Sequence, residues 1–291
     1  MTALTTTETT ETEPRDLGAP GQGRVLGRIR DVPPTVLLSA AVLFVVLLWS
    51  LFPGWFTSAD PTKGVTSDML LSPSGAHWFG TDHLGRDLYT RVVYGTASSV
   101  QSALVAVLIG LLVGGAIGLV CGFIGRWVDV VFSRVVDVLL AIPSFLLAVA
   151  IVSALGFETV NAAIATGVSA VAVFARVMRA EVLRTRSAVF VEASELLGGS
   201  RWHVLVRHVL PNAWRSVLSL AVLQFGLSII IISALAFLGY GDPPPASDWG
   251  LLISAGKDYP SAGWLVFAPV CVLVATVLSV NRIGRWLRGT G

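Results

Sequence analysis

Residues 181–211 read EVLRTRSAVFVEASELLGGSRWHVLVRHVLP, with Arg184, Arg186, Arg201 and Arg207 set among Glu181, Glu192 and Glu195. The runs on either side, 159–175 and 216–241, contain no Asp, Glu, Lys or Arg at all. A polar insert between two charge-free runs is the pattern of a loop joining two membrane spans, because an ionised side chain is costly inside hydrocarbon. Composition extends this reading to the whole chain. It is 54% hydrophobic and 13% charged, with a mean hydropathy of +0.76, far from the balance of a soluble domain.

Four more windows are free of charge: 32–59, 92–125, 138–157 and 259–281. A helix needs about 20 apolar residues to cross a hydrocarbon core of ~30 Å. Each of the six windows therefore holds one helix, the fourth in chain order borrowing residues up to Met178. The expectation is an all-α polytopic membrane protein with six transmembrane helices. Basic residues orient it. Lys63, Arg86, Arg91 and Lys257 fall on one side, and the other sixteen of the 20 Lys and Arg fall opposite. The positive-inside rule then places both termini and residues 181–211 in the cytoplasm. On this reading the arginines are topology signals, and lipid rather than nucleic acid is the partner they imply.

The chain divides accordingly. Residues 1–31 are too poor in apolar side chains to pack and are expected to be a disordered cytoplasmic tail. Residues 32–93 hold the first span and an external loop, and 94–285 a five-helix core that includes 181–211. Residues 286–291 form a cytoplasmic end. No cleavable signal peptide is expected, because the first apolar run is too long for one. Within the spans, Gly110, Gly114, Gly118 and Gly122 recur every fourth residue and leave one helix face nearly bare, which suits close helix packing in a bilayer. Pro143 is expected to bend the third helix. Cys121 and Cys271 show no metal or redox spacing.

Residues 181–211 resolve into two short helices. Gly198-Gly199 breaks the first, Ser200 can cap the second, and Pro211 is expected to stop that second helix before the next span. The result is an elbow suited to insertion into a groove of a soluble protein. On the other side, His77-x-x-Gly80-Thr81-Asp82-x-x-Gly85-Arg86-Asp87 superficially resembles a metal cluster. It lacks the spacing of a zinc helix and any glutamate placed as a base, so no metal is assigned. A structural loop with turns at Gly80 and Gly85 is the reading preferred here. Trp78, Trp249 and Tyr259 are expected at the membrane–water interface, where amphipathic rings are favoured.

Two motifs carry a family resemblance. Glu192-Ala193-Ser194-x-x-x-Gly198, completed by Leu210-Pro211, resembles the EAA motif of bacterial ABC importer permeases. Ser194 stands where the family has a second alanine, and His208 where the pattern prefers an aliphatic residue. The His77–Asp87 block before Tyr94-Gly95 resembles the signature of the C-type permease of the dipeptide, oligopeptide and nickel importers. Trp127-x-Asp129, Arg134-x-x-Asp137, the 236–241 segment AFLGYG, Pro243-Pro244-Pro245 and Asp248-Trp249-Gly250 continue the match, which runs from about residue 32 to 287.

The resemblance implies a type I importer transmembrane domain, a cell-membrane permease subunit that is not itself an enzyme. Its coupling helix would carry Glu192, Ala193, Ser194, Gly198, Leu210 and Pro211. Its partners would be a B-type permease subunit, two ABC ATPase subunits that bind ATP and Mg, and an extracytoplasmic substrate-binding protein. This chain would hold no cofactor. Peptide is the implied cargo, with nickel and glutathione-type import as the alternatives. The residues alone agree on the energy source: neither Lys63 nor Lys257 follows a phosphate-loop pattern. They also weigh against an ion-coupled secondary transporter, since none of the six windows holds an ionisable carboxylate. An intramembrane hydrolase would need a histidine near Ser228, Ser233 or Ser279, and the spans supply none.

Overall fold

The computed structural model describes residues 33–196, 198 and 200–289, with backbone alone at Glu192, Glu195 and Gly289. The expected tail, residues 1–31, lies outside them. Charge-free sequence becomes long helix because a bilayer offers no partner for an unpaired backbone N–H or C=O. The elements in order are α1 (Pro34–Leu51), α2 (Leu88–Ile124), α3 (Arg126–Ala141), α4 (Ser144–Leu155), α5 (Thr159–Arg186), α6 (Val189–Leu196), α7 (Arg201–Phe237), α8 (Trp249–Gly256) and α9 (Trp264–Gly289). Short 3₁₀ turns at Pro53–Trp55 and Thr66–Asp68 interrupt the loop between α1 and α2. Among the described residues there is one isolated β-bridge, Thr81 to Asp87, and no strand.

Five helices, α1, α2, α5, α7 and α9, are each long and apolar enough to cross a membrane. The third charge-free window does not make a straight sixth. It is cut at Ile142-Pro143 into α3 and α4, which meet at 93° and count as a span only as a broken pair. Proline forces its predecessor out of the helical region, and Ile142 is extended at φ −88°, ψ 127°. α4 alone, with 12 residues, reaches only about 18 Å.

Pro211 behaves in the opposite way to expectation. α7 runs straight through it to Phe237, so the second elbow helix and the following span are one 37-residue rod. A π-helical turn, Leu205–Val209, ends two residues before the proline. In a regular α-helix the carbonyl four residues back, that of Arg207, would collide with the pyrrolidine ring, and the wider turn here offers relief from that contact. Asn212 Nδ2 donates to His208 O at 2.7 Å and satisfies a carbonyl beside the break.

α5 is the axis of the bundle. At 28 residues it is about 42 Å long, so it extends beyond any ~30 Å core and carries its arginines out at one end. It packs against α2, α3, α4 and α7, and its inward positions are small: Ala162, Ala163, Ala165, Gly167, Ala170 and Ala172 are buried. The α2 glycines face it. A Cβ at Gly114 would lie 2.4 Å from Val171 O, and one at Gly118 would lie 2.3 Å from Ala175 O. These helices touch backbone to backbone, as small residues permit in lipid. Gly118→Val should therefore lower the thermal unfolding midpoint of the detergent-solubilised protein, at a cost of about 1–3 kcal/mol or more. Gly115→Ala should leave it nearly unchanged, because the nearest atom to that Cβ is the flexible Met178 Cε at 3.6 Å.

Among the described residues four apolar clusters follow, two of them small, around Val152 and Val136, and two large. One, with Leu88, Val92, Ile229, Trp249, Leu252 and Leu265, sits at the Thr81 end of the bundle. The other, with Phe174, Met178, Val182, Val191, Leu205 and Val209, sits at the Gly198 end.

Candidate functional site

The Gly198 end is a corner between two rods. α5 stops at Arg186, α6 turns across its end, and the chain reverses at Gly198 with φ +87°. Ser200 then caps α7, its Oγ accepting from His203 N at 3.2 Å. The corner is anchored by Val191 and Val204, each 1% exposed, with Leu205 and Val209 beneath them. Its outer surface presents large apolar side chains, Leu196 at 88% exposed, Val189 at 79% and Trp202 at 75%, beside the exposed Arg201 and His203. The structure thus brings Ala193, Ser194 and Gly198 to one projecting edge, with Ala193 and Gly198 exposed and Ser194 half-buried. Leu210 and Pro211 lie within α7, half-buried and exposed respectively. The Glu192 side chain, and any arginine it pairs with, lies outside the described residues.

Arginines at the Arg186 end of α5 tie it to α2 and α3. Arg179 grips both carboxylate oxygens of Asp129 on α3, Nη2 lying 2.7 Å from Oδ2. Arg176 reaches Asp137 at 2.7 Å. Arg186 Nη1 donates to Gly122 O at 3.0 Å and Phe123 O at 2.8 Å, capping the open carbonyls of α2. The recurring Asp129 and Asp137 on α3, spaced two turns apart, were the signal that could have revealed the pairing. At the opposite end, the start of α5 is tied to the loop that follows α7. Thr159 N donates to Asp242 Oδ1 at 2.9 Å, and Asp242 N donates to Thr159 Oγ1 at 3.2 Å.

The Thr81 end is organised by one buried carboxylate. Asp82 Oδ1 accepts from the backbone N–H groups of Leu84 (2.8 Å) and Arg86 (3.0 Å). Its Oδ2 accepts from Arg86 Nε (2.7 Å) and Arg91 Nη1 (2.8 Å). Burial alone pushes this carboxyl up, but the N–H groups of Arg86 and Leu84 and the Arg86 guanidinium outweigh it and hold it below the usual carboxylate value. Arg91 also reaches Ser247 Oγ and Ala246 O, each at 3.3 Å, and so pins the loop that precedes α8. Asp87 caps α2, accepting from Thr90 N at 2.8 Å, while its other oxygen faces His77 Nδ1 at 3.0 Å. Trp264 Nε1 donates to Thr81 O at 3.2 Å and ties in α9.

Gly80 and Gly85 have φ of +76° and +71°, and a Cβ at Gly85 would lie 1.9 Å from Val65 O. No larger residue fits there. Among the described residues no three His, Cys, Asp or Glu converge on a metal position.

One interfacial ring was misplaced by sequence reasoning. Trp78 is exposed, and Tyr259 is half-buried with its ring stacked on His83, but Trp249 is fully buried. Asp248 caps α8 by accepting from Leu251 N at 2.9 Å, and Trp249 N donates to Ser99 Oγ at 3.1 Å. A Cβ at Gly250 would meet Ser233 O at 2.1 Å. The Asp-Trp-Gly triplet is a wedge that seats α8 against α2 and α7. Burial drives the Asp248 carboxyl above its ordinary value.

A bundle of this kind, with a projecting corner at one end and a pinned loop system at the other, defines a multi-pass membrane transport subunit. The chain belongs to the family of binding-protein-dependent transport system inner membrane components, whose model matches residues 114–289. It is 37% identical over 253 residues to a dipeptide transport system permease protein of Alkalihalophilus pseudofirmus, covering 87% of this chain and 83% of that one. It is 33% identical to a probable D,D-dipeptide transport system permease protein of Escherichia coli, covering 88% and 86%. A glutathione transport system permease protein of Pectobacterium atrosepticum is 34% identical, with 86% and 84% covered. In fold it is similar to a chain of the MetNI methionine ABC transporter in an inward-facing conformation. That match has a TM-score of 0.56 and 19% identity, covering 69% of this chain and 96% of the other. The resemblance read from the two motifs holds, and the chain is a membrane permease subunit.

Proposed function

We propose that this chain forms one half of the translocation pathway of an ATP-driven peptide importer. The observation that carries the reading is the elbow, an exposed corner with large apolar side chains held at the junction of two long rods. Leu196, Val189 and Trp202 would fill a cleft on an ATPase subunit, with Gly198 letting the backbones approach. α5 and α7 would carry the movement inward. They are continuous and share the core around Met178 and Val209, and the start of α5 is tied to the loop that follows α7 at Thr159–Asp242. Pulling the corner would tilt both rods as a unit.

In this reading the Gly198 end and both termini face the cytoplasm. ATP and Mg bind two separate ATPase subunits, and a B-type permease supplies the other half of the path. The pinned loops at the Thr81 end receive a substrate-binding protein. Dipeptides are the cargo favoured by the named relatives, with glutathione-type tripeptides next. The test is uptake of labelled dipeptide by the assembled complex in proteoliposomes. Uptake should require ATP and the binding protein together and should survive collapse of ion gradients. Uptake that continued without ATP and stopped when an ion gradient was collapsed would overturn the proposal.

A further inference from the structure

A cavity of about 1030 Å³ opens beside the elbow, between the ends of α5, α7 and α9. Three arginines reach it from three different helices: Arg184, Arg215 and Arg288. Among the described residues, no Asp or Glu lines it. Arg184 is partly neutralised by Glu181, 2.7 Å away, while no described carboxylate pairs with Arg215 or Arg288. A general excess of positive charge on one side of a membrane does not require guanidiniums from three separate helices to gather around one hollow.

The position of the cavity along the helices selects the ligand. Arg215 is the last charge before the charge-free run 216–241, and Leu220, also on the wall, lies more than one turn inside that run. The cavity therefore combines a cationic rim of Arg184, Arg215 and Arg288 with an apolar floor of Val177 and Leu220, the latter inside the charge-free run. A guanidinium binds a phosphate through paired N–H groups, and Ser216 and Asn212 on the same wall offer groups for an ester or glycerol oxygen. A small soluble anion would use the rim and leave the floor bare. An anionic phospholipid uses both.

We infer that this cavity binds the headgroup and upper chains of an anionic phospholipid. Phe190 of α6 forms part of its wall, so the bound lipid touches the elbow and fills the gap between the rods that carry it.

The test is titration of the delipidated complex in detergent with fluorescent phosphatidylglycerol and, separately, phosphatidylcholine. Saturable phosphatidylglycerol binding is expected, weakened about 30-fold in the Arg215→Gln/Arg288→Gln double variant, at roughly one surface-charge contact per arginine. Phosphatidylcholine should bind more weakly and respond little to the substitutions. Excess inorganic phosphate should leave the lipid bound; competition by phosphate alone would assign the site to a free anion and overturn the lipid. Leu220→Trp fills the floor while keeping every arginine, and should also weaken binding without disturbing assembly on gel filtration. It carries the test if the double variant fails to assemble. Unchanged phosphatidylglycerol affinity in the assembled variants would overturn the inference. So would the absence of saturable binding to the wild-type complex, since a partner subunit would then fill the cavity.

Discussion

Asp82→Asn is expected to destabilise the protein by about 3–5 kcal/mol, the cost of leaving buried charges without their partner. The side chains of Asp82, Arg86 and Arg91 are only 4–6% exposed. Asparagine keeps the shape and can still accept from Leu84 N and Arg86 N, but it leaves two guanidiniums facing a neutral amide. A domain has only about 5–15 kcal/mol in total, so the variant should be recovered in low yield and unfold early in a thermal scan in detergent. Asp87→Asn, five residues on, should cost less than about 1 kcal/mol, because asparagine is as good an N-cap as aspartate and the His77 contact is partly exposed. Equal stability of the two variants would remove Asp82 from its place as the organiser of this end. The pH dependence has a definite sign. A carboxyl held below its unfolded value stabilises the fold fully above the ordinary carboxylate range, and that contribution is lost as pH falls through the lowered value. Asp248, pushed upward by burial, acts in the opposite direction, contributing at low pH and losing its effect as pH rises through its own raised value.

What could be read from sequence was what the bilayer imposes. Charge-free length located α1, α2, α5, α7 and α9, because lipid excludes ions at every position along a span. The glycine ladder on α2 was visible for a related reason: in lipid, only small residues let backbones meet. The misreadings occurred where local rules compete. Pro143 bends its span as expected, by 93°, whereas Pro211, expected to end a helix, is carried through beside a π-helical turn that hydropathy does not register. Trp249 was assigned to the interface by the statistics of amphipathic rings, yet the backbone contact at Gly250 and the cap at Asp248 draw it into the core. Arg176 and Arg179 were read as one-body topology signals. Their carboxylate partners are 39 and 50 residues away, and pairing at that separation depends on how α3 crosses α5, which no local pattern encodes.

Gly198→Asp is expected to abolish dipeptide uptake and ATPase stimulation while leaving the bundle assembled. Gly198 has φ of +87° and nothing within 4 Å of a Cβ built on it. A Cβ there meets no described atom of this subunit, so the fold is not expected to be disrupted by collision. It carries only the backbone cost of a left-handed conformation, about 1–2 kcal/mol, at an exposed corner that can relax locally. What a side chain does change is the outer surface. An ionised carboxylate would project between Leu196 and Trp202 just where an apolar partner surface would close, and desolvating it there is far more costly than the backbone strain. Gly198→Asn separates the two effects, since asparagine tolerates positive φ and carries no charge; it should retain an intermediate level of uptake. Glu192→Ala should cost less than either, because it adds neither a charge nor backbone strain to the corner and alanine is a good helix former within α6. The measurement is co-purification of the ATPase subunits with each variant, beside uptake by the same preparations. If Gly198→Asp kept both, the corner would be a surface hairpin with no share in coupling, and the path from ATP to the transmembrane rods would have to enter the subunit elsewhere.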